Sequence, residues 1–164
     1  LRCYKETRKQ INYRGGVVRF FIPKHWIEEY EKDGGGTFYE PGDDAGTLRL
    51  NVLSFLTKED VSLTYPLETF KLRCSKYNGI VEELSDSRSL LKYSIKGNEH
   101  GEDLIIFYWE VARMVSPRDY NIAVFSFTVT ALQARSPAII EAISSLEEEV
   151  KDVQFWIHGD AYEP

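Results

Sequence analysis

Carboxylates and aromatic rings alternate through one short stretch of this chain, and chemistry is sought there first. Trp26, Glu28 and Tyr30 occupy every second position, Ile27, Glu29 and Glu31 the positions between, and Tyr39, Asp43 and Asp44 follow shortly after. Two carboxyls about 5 to 9.5 Å apart, one with its pKa raised by burial, are the equipment of a glycosidase. Residues two apart on a strand meet that spacing. One reading is therefore a small hydrolase built on Glu28 and a partner carboxylate, with Trp26, Tyr30 and Tyr39 stacking on a sugar. The other is recognition: Tyr and Trp anchor protein interfaces, and an acidic surround steers a basic partner. Alternating Glu on an edge strand also deters unwanted strand pairing, which weighs against the hydrolase, and a solvated acidic hairpin whose aromatics face the core is the plain alternative to recognition. Trp26, Glu28, Tyr30, Tyr39, Asp43 and Asp44 are accordingly taken as a candidate protein-binding surface, and no residue is assigned a catalytic role.

Other chemistries find less to work with. His25, His100 and His158 are scattered, with no H-x-x-x-H or C-x-x-C, so no metal site is assigned. Asp43 and Asp44 sit in a turn but lack the alternating acids and distal Glu of an EF-hand. Gly34, Gly35 and Gly36 are not followed by Lys-Ser/Thr, nor do they match G-x-G-x-x-G, so they read as a turn and no cofactor is expected. There is no G-x-S-x-G elbow. Cys74 falls on an apolar helical stripe with no nearby His and reads as a small buried hydrophobe, unbonded to Cys3.

Charge is distributed unevenly. Residues 1–24 carry seven Lys or Arg against Glu6, and residues 28–44 carry seven acids against Lys32, within a net charge of −6. An acidic body disfavours nucleic-acid binding, which depends on neutralising phosphates. The scattered basic residues at the start read as a solvated terminus. The longest apolar run, Leu104 to Trp109, is far short of the ~20 residues of a membrane span, and no export signal is visible. The expected setting is the bacterial cytoplasm, with an exported form whose signal has been removed as the alternative.

A chain of 164 residues suits one domain with one core. Val17 to Ile22 reads as a buried strand, followed by strands at Trp26–Glu31, Thr37–Glu40 and Thr47–Phe55, the last alternating Leu48, Leu50 and Val52 with Arg49 and Asn51. Residues 1–14 are left as a peripheral or mobile segment. Leu67, Phe70, Cys74 and Tyr77 mark one face of a helix beginning near Pro66 and stopped by Asn78-Gly79. Strands at 80–84, 90–95, 103–115 and 120–132, joined by short connectors, form an antiparallel meander. Ser136 caps a second helix with Pro137 at its first position. Its stripe of Ile139, Ile143, Leu146 and Val150 should cover Phe125, Phe127 and Val129, before a closing strand at Val153–Ile157. The sum is an α+β domain of seven to nine antiparallel strands and two main helices.

The layout resembles the PsbP-like fold family, over about residues 15 to 157. The likeness is carried by the strand VVRFFI, the P-x-x-W of Pro23 and Trp26, the glycine turn before Phe38, and the helix from Ser136 to Val150 with its closing strand. The segment IPKHWIEEYEKDGGGTFYE is also similar to bacterial proteins of this layout. The resemblance implies an α/β/α sandwich and a protein-binding or assembly role rather than catalysis. No residues match the docking sites of its named members, so no specific partner is carried over.

Overall fold

The computed structural model describes residues 7–42 and 45–157. Its elements, in chain order, are β1 (Arg8–Tyr13), β2 (Val18–Pro23), β3 (Ile27–Tyr30), β4 (Gly36–Tyr39), β5 (Thr47–Leu56), α1 (Tyr65–Cys74), β6 (Ile80–Glu83), β7 (Ser89–Glu99), β8 (Glu102–Met114), β9 (Asp119–Thr130), α2 (Pro137–Lys151) and β10 (Gln154–Phe155). Seven strands form one antiparallel sheet in the order β3-β4-β5-β9-β8-β7-β6, and β1-β2-β10 form a second. This is the α+β class expected.

Period-2 alternation sorts the large sheet into two faces. Leu48, Leu50, Phe125, Phe127, Val129, Trp109 and Val111 point one way. They meet Ile139, Leu146 and Val150 of α2, and Ile11, Tyr13, Val18, Phe20 and Ile22 from the small sheet. The expected burial of Phe125, Phe127 and Val129 in one core with Ile139, Ile143 and Leu146 is what the chain adopts. The opposite face carries a smaller cluster of Phe70, Leu91, Ala112, Met114, Tyr120 and Ile122, beneath α1. Strands β8 and β9 thus bury side chains on both faces, which explains their near-continuous apolar sequence.

Several boundaries depart from the sequence reading. Residues 8–13 are not peripheral: β1 pairs with the whole of β2 and buries Ile11 and Tyr13. Its alternation is masked in sequence because the outward positions are Arg8, Gln10 and Asn12. Strand β7 continues to Glu99, beyond the 90–95 span read from the sequence. His100 and Gly101 alone make the turn, both at positive φ (52° and 82°), the geometry of a two-residue hairpin. Asn98 and Asp103 bond across that ladder at 2.9 Å. Strand β9 stops at Thr130, because Gln133 Oε1 accepts the Thr130 amide at 2.9 Å and the Gln133 amide donates to Thr130 Oγ1 at 3.0 Å.

The helices follow their stripes with two amendments. Leu67 and Phe70 are buried, but Cys74 is half-buried at the margin of the smaller cluster, where Sγ donates to the Lys71 carbonyl at 3.2 Å. The stop is as read: Asn78 takes φ 52° and the Gly79 amide returns to the Cys74 carbonyl at 2.8 Å. Ser136 stands at the N-cap in extended conformation, but its side chain makes no capping bond. Cys74 is a free thiol, and Cys3 lies outside the described residues.

Gly46, buried just before β5, sets a close approach that no pattern revealed. A Cβ there would stand 2.3 Å from the Phe127 ring and 2.7 Å from Val129 Cγ1. Gly46→Ala should therefore destabilise the fold by about 1–3 kcal/mol through overpacking, measured by urea unfolding, whereas Gly97→Ala, in open space in β7, should be neutral or stabilise by up to about 1 kcal/mol.

Candidate functional site

The acidic-aromatic stretch folds as the β3–β4 hairpin at one edge of the large sheet, and all four residues of β3 are exposed. Glycine makes the turn possible. Gly34 and Gly35 adopt φ 103° and 114°, the left-handed region costly for side chains. The turn closes through Gly34 N–H to the Glu31 carbonyl and Glu31 N–H to the Gly35 carbonyl, both 3.1 Å. The Gly35 amide donates to Tyr13 Oη at 2.8 Å, fastening the hairpin tip to β1.

The register divides the candidate residues. Glu28 pairs opposite Phe38 and Tyr30 opposite Gly36, on the face that meets the core, while Ile27 and Glu29 share the other face with Tyr39 and Thr37. Trp26 precedes the strand and is only 8% exposed, so it anchors the hairpin from within. Lys9 Nζ holds the same place from outside, 2.7 Å from the Trp26 carbonyl and 3.1 Å from Glu28 Oε2. Tyr30 is 52% exposed, with its ring edge-on to Phe38 at 6.0 Å. Partial burial and the neighbouring Glu28 carboxylate raise its pKa. Tyr39 Oη donates to Glu29 Oε1 at 2.7 Å, and that bond raises the Tyr39 pKa. His25 and Glu40 pair at 3.1 Å. Asp43 and Asp44 lie outside the described residues.

The hairpin therefore brings Glu28 and Tyr30 to one face of the sheet edge, leaves Tyr39 on the other, and withdraws Trp26 into the core. Glu28 and Glu29 point to opposite faces, and each is engaged by a different partner. Among the described residues, no group of three or more His, Cys, Asp or Glu converges as metal ligands would. None of the described helices is long and apolar enough to cross a membrane.

Two polar networks elsewhere were missed by sequence reasoning. Glu110, 3% exposed in mid-β8, accepts both Arg73 guanidinium nitrogens at 2.8 and 3.0 Å and Tyr93 Oη at 2.7 Å. Tyr93 stacks between Tyr77 at 4.4 Å and Tyr108 at 4.9 Å. Burial and the Glu110 bond push the Tyr93 pKa far up, and the Glu110 bond raises that of Arg73. On the other face, Glu147 Oε1 accepts Lys92 Nζ at 2.9 Å and Trp109 Nε1 at 3.2 Å. Burial alone would raise the Glu147 pKa, but these donors with the Lys92 and Lys151 charges bring it below its ordinary value. The available signal was Glu110 itself, a lone acid within the apolar stretch 104–112 of β8, where an unpaired charge would be costly.

No family model matches the chain, and no curated protein matches it in sequence. Solved structures share its fold. A protein from Bacteroides thetaiotaomicron VPI-5482 superposes with a TM-score of 0.66 at 15% identity, over 95% of this chain and 51% of the other. LpqN of Mycobacterium tuberculosis, described as involved in cell envelope biogenesis, superposes with a TM-score of 0.62 at 9% identity, over 91% of this chain and 90% of LpqN. The chain thus spans about half the length of the Bacteroides protein. At these identities the likeness is one of fold alone.

Tyr93 supplies a pH test of the network it completes. A tyrosine whose pKa is higher folded than unfolded adds stability that is fully present below about pH 10, its unfolded value. That contribution is lost as pH climbs toward the folded value, because the unfolded chain releases the proton first. Tyr93→Phe should cost about 1–2 kcal/mol at pH 7 for the lost hydrogen bond, and should flatten the alkaline decline in stability. Urea midpoints at pH 7, 9.5 and 10.5 measure both, and an unchanged alkaline slope would remove Tyr93 as its source.

Proposed function

We propose that this protein is a non-enzymatic binding or assembly module that engages a protein partner through the β3–β4 hairpin. The observation carrying this reading is that β3 ends the large sheet with Ile27 and Tyr30 exposed on either side of Glu28 and Glu29, on a rigid hairpin. Exposed aromatic and aliphatic side chains on a fixed backbone supply contact area at low entropic cost. The surrounding acids, Glu29, Glu31 and Asp33 among them, favour a basic partner. Against the hydrolase reading stands the engagement of Glu28 by Lys9, since a catalytic pair needs two carboxyls facing one another across a cleft.

Membership of the PsbP-like family belongs to this reading, supported by the two-layered strand arrangement with a helix on each side of the large sheet. So does a place in the bacterial cytoplasm. The alternative is an exported protein, suggested by the involvement of LpqN in cell envelope biogenesis, and fractionation of the producing cells decides between the two.

The hairpin is tested with a photo-crosslinking side chain placed at Tyr30 and, as control, at Ile95 on the far side of the sheet. A discrete adduct at Tyr30 alone, weakened by adding salt and by Glu29→Gln with Glu31→Gln and Asp33→Asn, is the expected result. Equal adducts at both positions, or an adduct indifferent to the three neutral variants, would overturn it.

A further inference from the structure

A cavity lies away from the hairpin, where the outer face of the small sheet meets the β6–β7 turn and the C-terminal end of α2. It holds about 470 Å³ and is lined by four arginines, Arg8, Arg19, Arg88 and Arg113, and three acids, Asp86, Glu149 and Asp152. That volume suits a small ligand.

The four arginines are not equivalent. Arg8 forms an ion pair with Glu149. Arg88 is 7% exposed, and its guanidinium donates to the carbonyls of Ser85, Lys151 and Val153 and to Ser85 Oγ. None of those acceptors is a carboxylate, so its charge is fixed without a bonded counter-ion. Asp86 and Asp152 attract it at longer range, while burial and the like charge of Arg113 oppose it. Among the described residues, the side chains of Arg113 and Arg19 donate no hydrogen bond and form no ion pair. Four arginines against three acids leave the cleft with one net positive charge, and Arg113 and Arg19 keep their donors free to meet an anion. Guanidinium meets a carboxylate with two parallel hydrogen bonds.

The acids narrow the choice of anion. With Asp86, Glu149 and Asp152 in the same lining, a doubly charged ligand is repelled where a singly charged one is accommodated. Phe21, 41% exposed, supplies an apolar wall. We propose that this cleft binds a monocarboxylate carried on an apolar or aromatic body, its carboxylate taken by Arg113 and Arg19 in front of the fixed charge of Arg88. This site is independent of the hairpin and stands or falls separately from it.

The test uses 3-phenylpropionate, its neutral amide and inorganic phosphate, followed through the arginine Nε–Hε resonances of the full chain. The acid should shift Arg113 and Arg19 saturably below about 10 mM, and the amide should bind at least about tenfold more weakly. Arg113→Gln should weaken the acid by roughly tenfold with its circular dichroism unchanged, and Lys96→Gln, outside the cleft, should leave it unaltered. Should Arg113→Gln fail to fold, Arg19→Gln carries the same expectation. The proposal fails if acid and amide bind alike, if phosphate binds more tightly than the carboxylate, if no saturable shift arises, or if a folded Arg variant binds as well as the parent chain.

Discussion

The guanidinium of Arg88 joins the two sheets. A helix ends with carbonyls that have no partner in the helix itself, and α2 ends facing the turn between β6 and β7. Arg88, the residue before β7, donates to the Lys151 and Val153 carbonyls just there. The next two residues are β10, which pairs with Arg19 and Val18 of β2. One buried side chain thus fixes where α2 stops, and hence where β10 enters the small sheet. Removing it would leave buried carbonyls unsatisfied at the junction on which the layer arrangement turns.

The hairpin depends on that junction at one remove. The small sheet delivers β1, and β1 supplies both the Tyr13 hydroxyl that accepts the Gly35 amide and the Lys9 ammonium that reaches Glu28 and the Trp26 carbonyl. An edge hairpin held only by its β4–β5 ladder would be free to twist. Fastened at its tip and its base by one strand of another sheet, it presents Tyr30 and Ile27 in a set orientation. The price is surface: Trp26 serves as anchor, and Glu28 as counter-ion.

Legibility in the sequence followed local pattern. The strand of Leu48, Leu50 and Val52, the helix of Ile139, Leu146 and Val150, and the stop at Asn78-Gly79 were readable because their signals repeat within a few residues. Strand β1 was not, because three outward polar residues made it resemble a solvated terminus. Neither Arg88 nor the Arg73–Glu110–Tyr93 network announces itself, since their partners lie 63 to 65 and 17 to 37 residues away. Of the candidate site, the residue types and the turn were legible. Which side chains face solvent was not, for it is set by the register of β3 on β4 and by a strand that pattern did not show.

The same strand changes what the charge asymmetry means. A basic opening segment followed by an acidic stretch reads in sequence as two independent fields, one solvated and one aimed at a partner. In the fold they are neighbours: Lys9 pairs with Glu28, and Arg14 lies directly against Gly34 at the hairpin tip. Opposite charges so placed cancel at distances beyond about 8–10 Å, the Debye length at physiological salt. The acids that retain a field are those turned away from β1, Glu29 on the outer face above all. Long-range steering by the hairpin is consequently weaker than seven acids imply, and discrimination there rests on the shape of an edge bearing Ile27 and Tyr30, with charge acting at contact.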